Sequence, residues 1–244
     1  MHPVICTIGP FTIYSYGLML VAALITASAL ARSQAKKEGI NPDIILNLLF
    51  GCMVCGIIGA RIFFIIENFS FYRDDPLEMV MLQHGGLSWF GGFFLALLFA
   101  VVFLKKKKLG IYRVFDLIAP FLALAQAVGR IGCFLNGCCY GKTAQWFGIY
   151  SEEQGGLIIP TQLYSSLLLV LIFIVLRVLQ ARPHKTGSIF LSYLLLYSLK
   201  RFFIEFLRAD NPAVFFSLSL FQIISAAIFF FSAIKLFLIS RQKG

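Results

Sequence analysis

Apolar residues dominate seven stretches of the chain, near 11–31, 43–66, 90–105, 114–135, 161–181, 187–208 and 214–239. Short polar stretches separate them. The third is short and borrows length from the glycine-rich turn before it. None alternates apolar with polar at every second position, as the strand of a membrane barrel must. Crossing a hydrocarbon core as a helix takes roughly 20 apolar residues, and these runs are of that size. A segment in lipid has no water to satisfy its backbone, so with barrel strands excluded the runs must be helices. The pattern predicts an all-α integral membrane protein of about seven transmembrane helices, forming one domain over 1–244.

Charge gives that bundle a direction. Arg32, Lys36 and Lys37 follow the first run, Lys105 to Lys108 with Arg113 follow the third, Arg182 and Lys185 follow the fifth, and Arg241 and Lys243 close the chain. These positions alternate so as to fall on one side, the cytoplasmic one by the positive-inside rule. The loops at 67–89 and 136–160 carry Asp74, Asp75, Glu78, Glu152 and Glu153 instead. The N-terminus is therefore expected outside and the C-terminus inside. A net charge of +10 would also suit a nucleic-acid binder, but with 59% hydrophobic residues and the bases clustered beside the spans, the partner is the lipid bilayer, not nucleic acid. No basic segment precedes the first run, so no signal peptide is expected.

With that orientation the second, fourth and sixth runs end in the outer leaflet, and polar groups from five parts of the sequence share one level. Arg61 and Glu67 lie at the end of the second run. Arg130, Cys133, Asn136, Cys138 and Gly141 lie in Gly129-Arg130-Ile131-Gly132-Cys133-Phe134-Leu135-Asn136-Gly137-Cys138-Cys139-Tyr140-Gly141. Tyr197, Arg201, Glu205 and Arg208 are spaced four, four and three apart, which is one face of a helix. Tyr14 and Tyr16 open the first run, and Gln83, His84, Gly85 and Gly86 lie just before the third. An ionisable group inside a membrane is costly and marks a site, with its partner to be sought nearby; for Arg201 that partner is Glu205. A guanidinium grips phosphate through two parallel hydrogen bonds, so several arginines at headgroup level fit a phospholipid. The glycine-rich run at 83–92 has backbone N–H groups that suit an anion, and His84 is a candidate base.

Six cysteines in such a chain are not a disulfide framework. A metal would draw on Cys133, Cys138 and Cys139 with the Cys52–Cys55 pair, but that pair lies near the middle of its span and the others at an outer end. No metal and no cofactor are expected; a reactive thiol activated by Arg130 is the better reading of the cysteines.

These residues resemble a known family. Tyr16-Gly17-Leu18, Gly59-Ala60-Arg61, the Gly-Gly-Leu-Ser-x-x-Gly-Gly loop at 85–92, the central run at 129–141, Pro160-Thr161-Gln162-Leu163-Tyr164, and Arg201-x-x-x-Glu205-x-x-Arg208 are similar to those of the bacterial prolipoprotein diacylglyceryl transferases. The resemblance covers nearly the whole chain. It implies transfer of a diacylglyceryl group from phosphatidylglycerol to the lipobox cysteine of prolipoprotein signal peptides, at the outer leaflet of the cytoplasmic (inner) membrane, with release of glycerol phosphate. It further implies that Arg130 and Arg201 grip the phosphate, that Glu205 holds Arg201, that Tyr16 lines the headgroup site and that Arg61 braces the helices. His84, six residues before the family's usual base position at Phe90, is taken as the candidate base, while Arg61, Gly85, Gly86, Cys133, Asn136, Cys138, Gly141 and Arg208 are expected to line the substrate. The chain departs from the family pattern at Cys133 (usually Asn), Cys138 (usually Glu), Phe90 (usually His or Tyr) and Ser165 (usually Glu). Two other readings stay open: a phospholipid-dependent transferase that uses Cys133 or Cys138 on a different acceptor, and a non-enzymatic lipid-binding or transport protein.

Overall fold

Asn41 shows how the helices are started and stopped. Its side-chain oxygen accepts from the Asp43 N–H (2.9 Å), Pro42 fills the first helical position and Asp43 faces the positive end of the helix dipole. The helix before it ends on Lys36 and Lys37, and Gly39 then takes a left-handed conformation (φ 69°) that ends the turn.

The computed structural model describes residues 3–8, 11–73, 76–81, 85–144, 148–151, 155–209, 211–215 and 217–241. Among them are seven long helices: α1 (Ser15–Lys37), α2 (Pro42–Glu67), α4 (Trp89–Lys106), α5 (Ile111–Leu135), α6 (Thr161–Gln180), α7 (Ser188–Glu205) and α8 (Leu220–Arg241). A single-turn helix, α3 (Phe69–Tyr72), follows α2. All the long helices except α7 are long and apolar enough to cross a membrane. α7 has 18 residues and carries Lys200, Arg201 and Glu205 toward its C-terminal end. The protein is a helical, multi-pass membrane protein, as the apolar pattern predicts.

Three small antiparallel hairpins were not legible in that pattern: β1 (Val4–Ile8) with β2 (Phe11–Tyr14), β3 (Ile149–Ser151) with β4 (Gly156–Ile158), and β5 (Ala213–Phe215) with β6 (Leu218–Ser219). The first corrects the start of the first span. Residues 11–14 pair as a strand, with Cys6 opposite Ile13 and Thr7 opposite Thr12, and the helix begins at Ser15, whose N–H and hydroxyl both reach the Pro3 carbonyl. Tyr14 thus lies outside the helix.

The chain forms two compact units, Met1–Ala31 with Phe115–Gly244, and Arg32–Val114, whose boundaries fall inside α1 and α5. In the second unit, α2 and α4 pack through glycine. A Cβ at Gly59 would run into the Gly91 carbonyl, and one at Gly91 into the Gly59 carbonyl and Phe63, so the backbones touch where side chains would hold them apart. In the first unit, Ala119, Ala123 and Ala127 make a small-residue stripe on α5 against Leu169, Ile172 and Leu176 of α6 and Ile189 and Tyr193 of α7. Several polar groups within this packing find partners on neighbouring helices, as lipid-buried groups require. Ser166 donates to the Ala127 carbonyl (2.9 Å), Tyr193 to Gln126 (3.0 Å), and Asp116 of α5 accepts from the Gly187 and Phe190 N–H groups at the start of α7.

Candidate functional site

The central glycine–cysteine run folds back on the end of its own helix. The Asn136 N–H bonds the Gly132 carbonyl and the Cys138 N–H bonds the Cys133 carbonyl (3.1 Å), while Gly137 (φ 76°) and Cys139 (φ 64°) take left-handed conformations. The N-terminus of α6 pins the turn: Thr161 Oγ1 donates to the Cys139 carbonyl (2.8 Å) and Gln162 Nε2 to the Cys138 carbonyl (2.7 Å). Beyond it, residues 141–144 lie beside 157–159, with the Gly141 N–H on the Ile159 carbonyl and the Ala144 N–H on the Leu157 carbonyl. Gly141 has no space for a Cβ, which would meet the carbonyls of Leu207 and Ile159 and the Thr161 methyl. Gly132 has the same role on the helix, where a Cβ would press on Met19 and Tyr16 of α1. This puts Tyr16 beside the cysteine turn.

The turn gathers three thiols. The sulfurs of Cys133, Cys138 and Cys139 lie within 4.8 Å of one another, half-buried, and all three cysteines are free. Hydrogen bonds from the Cys133 and Cys138 thiols, helped by the Arg208 guanidinium, hold the Cys139 thiol far below the ordinary thiol range.

Three arginines and a buried lysine gather in the same unit. Lys200 lies within electrostatic reach of Arg130, Arg201 and Arg208. One carboxylate answers them among the described residues: Glu205, 5% exposed, pairs with Arg201 Nη2 at 3.0 Å, and its other oxygen accepts from Asn211 (2.6 Å) and Ser219 (2.9 Å). Arg201 also stacks over the Phe221 ring (4.7 Å). Arg130, on the last two turns of α5, forms no hydrogen bond or ion pair with any described residue. Among the described residues the arrangement is an excess of positive charge, with the Arg130 guanidinium in no hydrogen bond or ion pair.

A family profile described as prolipoprotein diacylglyceryl transferase matches residues 3–238. The chain belongs to that family. Curated relatives named phosphatidylglycerol–prolipoprotein diacylglyceryl transferase include one from Listeria innocua, 37% identical over 222 residues that cover 86% of this chain and 80% of the relative. Another, from Limosilactobacillus reuteri, is 32% identical over 257 residues, covering 100% of this chain and 93% of the relative.

In this member of the transferase family, the structure brings Tyr16, Arg130, Cys133, Asn136, Cys138, Gly141, Arg201, Glu205 and Arg208 into one unit. Arg208 arrives by a different route from the predicted helical face. α7 ends at Glu205, and Arg208 lies in the following turn, where its backbone bridges Gly141 and the Lys142 N–H bonds the Leu207 carbonyl (2.8 Å). The one-face spacing holds for Tyr197, Arg201 and Glu205, and tertiary pairing supplies Arg208.

Arg61, Gly85 and Gly86 belong to the other unit. There Arg61 donates through Nε to the Met79 carbonyl (3.0 Å), through Nη1 to the carbonyls of Gly85 (2.5 Å) and Gly86 (3.0 Å), and through Nη2 to those of Glu78 and Met81. A guanidinium has five N–H donors, and all five are taken. This corrects any substrate-contact role for Arg61: it braces the loop, seated over the Tyr72 ring (5.3 Å). The carbonyls of Gly85 and Gly86 turn to this arginine from left-handed backbone (φ 81° and 80°). His84 lies outside the described residues, as do Asp74, Asp75, Glu152 and Glu153.

Sequence reasoning missed Lys200. It is 6% exposed, donates to the Ser165 hydroxyl (3.0 Å) and faces the Tyr197 ring at 4.5 Å. The signal was there: a lysine next to Arg201 inside an apolar run is as costly as the arginine itself. It follows Tyr197 by three positions and so neighbours it on the helix, and the four-residue steps to Arg201 and Glu205 passed over it.

Proposed function

We propose that this protein transfers the diacylglyceryl group of phosphatidylglycerol to the lipobox cysteine of prolipoprotein signal peptides, releasing glycerol phosphate. The reaction takes place at the outer leaflet of the bacterial cytoplasmic membrane, with the N-terminus outside. Family membership supports the reaction, and the basic loops support the orientation. The observation that carries the reading is the cationic cluster of one unit, in which Arg201 is tied to Glu205 while Arg130 forms no hydrogen bond or ion pair with a described residue.

The chemistry follows from the charges. Phosphatidylglycerol holds one negative charge on a phosphodiester, and cleavage at the glyceryl carbon concentrates charge on the departing phosphate. Arg130 and Arg201 meet that charge as it develops, which lowers the barrier more than binding the ground state would. Glu205 fixes the Arg201 fork. Tyr16, beside the cysteine turn, borders the headgroup. The lipid tails stay in the bilayer.

The test uses purified protein in detergent with phosphatidylglycerol and a synthetic lipobox peptide. The expected result is release of glycerol phosphate together with a diacylglyceryl mass increase on the peptide. Phosphate ester release without peptide modification would assign a different acceptor, and lipid binding with neither product would overturn the enzymatic reading.

A further inference from the structure

We infer that Cys133, Cys138 and Cys139 form a three-thiolate site for a soft divalent cation of the zinc type, with its fourth position open to an incoming thiol. The trio does not need the Cys52–Cys55 pair.

Zinc held by thiolates has bonds of about 2.3 Å, which in a tetrahedron puts the sulfurs about 3.8 Å apart. The three sulfurs here are mutually within 4.8 Å, so a small rotation of the side chains brings them to that spacing. The backbone that presents them is already built. Cys133 ends α5, the Cys138 N–H is bonded to the Cys133 carbonyl, and α6 holds the carbonyls of Cys138 and Cys139 through Gln162 and Thr161. A donor set of sulfur alone selects soft or borderline cations over magnesium or calcium. Three thiolates around a divalent ion leave one negative charge, and the Arg208 guanidinium hydrogen-bonded to Cys139 answers it from outside the ligand shell. Structural zinc sites are closed by four protein ligands, whereas sites with three keep a place for water or substrate. This site is half-buried and, among the described residues, has three.

The use of the open place rests on the transferase reading. In that reaction the acceptor is a cysteine thiol, and the thiolate is the nucleophile. A thiol bound to zinc is deprotonated outright. The acceptor sulfur would displace water from the ion, attack the terminal glyceryl carbon of the lipid and form the C–S bond as the C–O bond to phosphate breaks. The electron pair of that bond leaves with the phosphate, and the thiol proton ends on the departing phosphate monoester. No separate carboxylate or histidine base is then required.

Two measurements on the full chain in detergent, kept reduced, decide the matter separately. Zn²⁺ alone is titrated against a chromophoric chelator, and Co²⁺ alone is followed by its sulfur-to-metal charge-transfer absorption. About one ion per chain is expected, lost in the C133S/C138S/C139S variant, and addition of the lipobox peptide should alter the cobalt d–d bands. Failure of the wild-type chain to bind either ion above background overturns the site, whatever the variant does. Peptide modification is then assayed on the same preparation before and after chelation. Transfer that survives complete metal removal overturns the role in thiol activation and leaves the transferase reading intact. One bound ion with no transfer under any condition supports the site and overturns the transferase reading.

Discussion

Replacing Arg130 with lysine keeps the positive charge and removes the fork. In the structure Arg130 makes no hydrogen bond or ion pair with a described residue, so no polar contact among those residues is lost on substitution. Thermal unfolding should therefore shift by no more than a surface substitution does, about 0.5 kcal/mol. The reaction should suffer much more. A hydrogen bond to a charged group contributes about 1.5–3 kcal/mol, and lysine retains one of the two parallel bonds to phosphate. Loss of the second corresponds to roughly 10- to 150-fold in kcat/KM. If the bond strengthens as charge develops on the leaving phosphate, the loss appears in kcat; if it serves the bound lipid equally, it appears in KM. Initial rates of peptide modification over a range of phosphatidylglycerol concentrations, with circular dichroism melts on the same samples, separate these outcomes. Unchanged turnover would refute the phosphate clamp. A fall in melting temperature that tracks the fall in rate would show Arg130 to be structural instead.

Glu205→Gln should behave in the opposite way to Arg130→Lys: it leaves Arg201 without its buried counter-charge, so both melting temperature and turnover should drop, the stability by about 3 kcal/mol. Arg61→Lys cannot satisfy five loop carbonyls and should lose about 1–3 kcal/mol, read as faster limited proteolysis between residues 76 and 88; unchanged digestion would remove the bracing role. Gly91→Ala drives a methyl into the Gly59 carbonyl and should cost about 1–3 kcal/mol by forcing α2 from α4, whereas Gly85→Ala, with open space around it, should cost only its left-handed backbone, about 1–2 kcal/mol. Melts of the two alanine variants side by side check the difference in cause: because the Gly91 clash is with the Gly59 backbone and the Phe63 Cβ, trimming the Phe63 ring should rescue neither variant.

The helices were determined by the sequence alone, because the rule that makes them is local. A run of about 20 apolar residues in lipid has to close its own hydrogen bonds, and only its length and apolarity matter. The second run, predicted near 43–66, is observed at Pro42–Glu67, and the fifth, near 161–181, at Thr161–Gln180. The pairing of Arg201 with Glu205 was also legible, since four residues along a helix are neighbours whatever surrounds it. What the run does not encode is where chain that leaves a helix will find its partners. The hairpins at 4–14, 149–158 and 213–219 are too short for periodicity to mark. Arg208 lies past the end of α7 and enters the site only because its backbone pairs with Gly141. Cys133 and Cys138 were five positions apart on paper, at the end of a span and in the loop beyond it. The tertiary structure turned that loop back over the helix end, pinned it with Thr161 and Gln162, and left three sulfurs facing one point. Such convergence depends on backbone hydrogen bonds between residues distant in the sequence, and hydrophobic pattern carries no record of those.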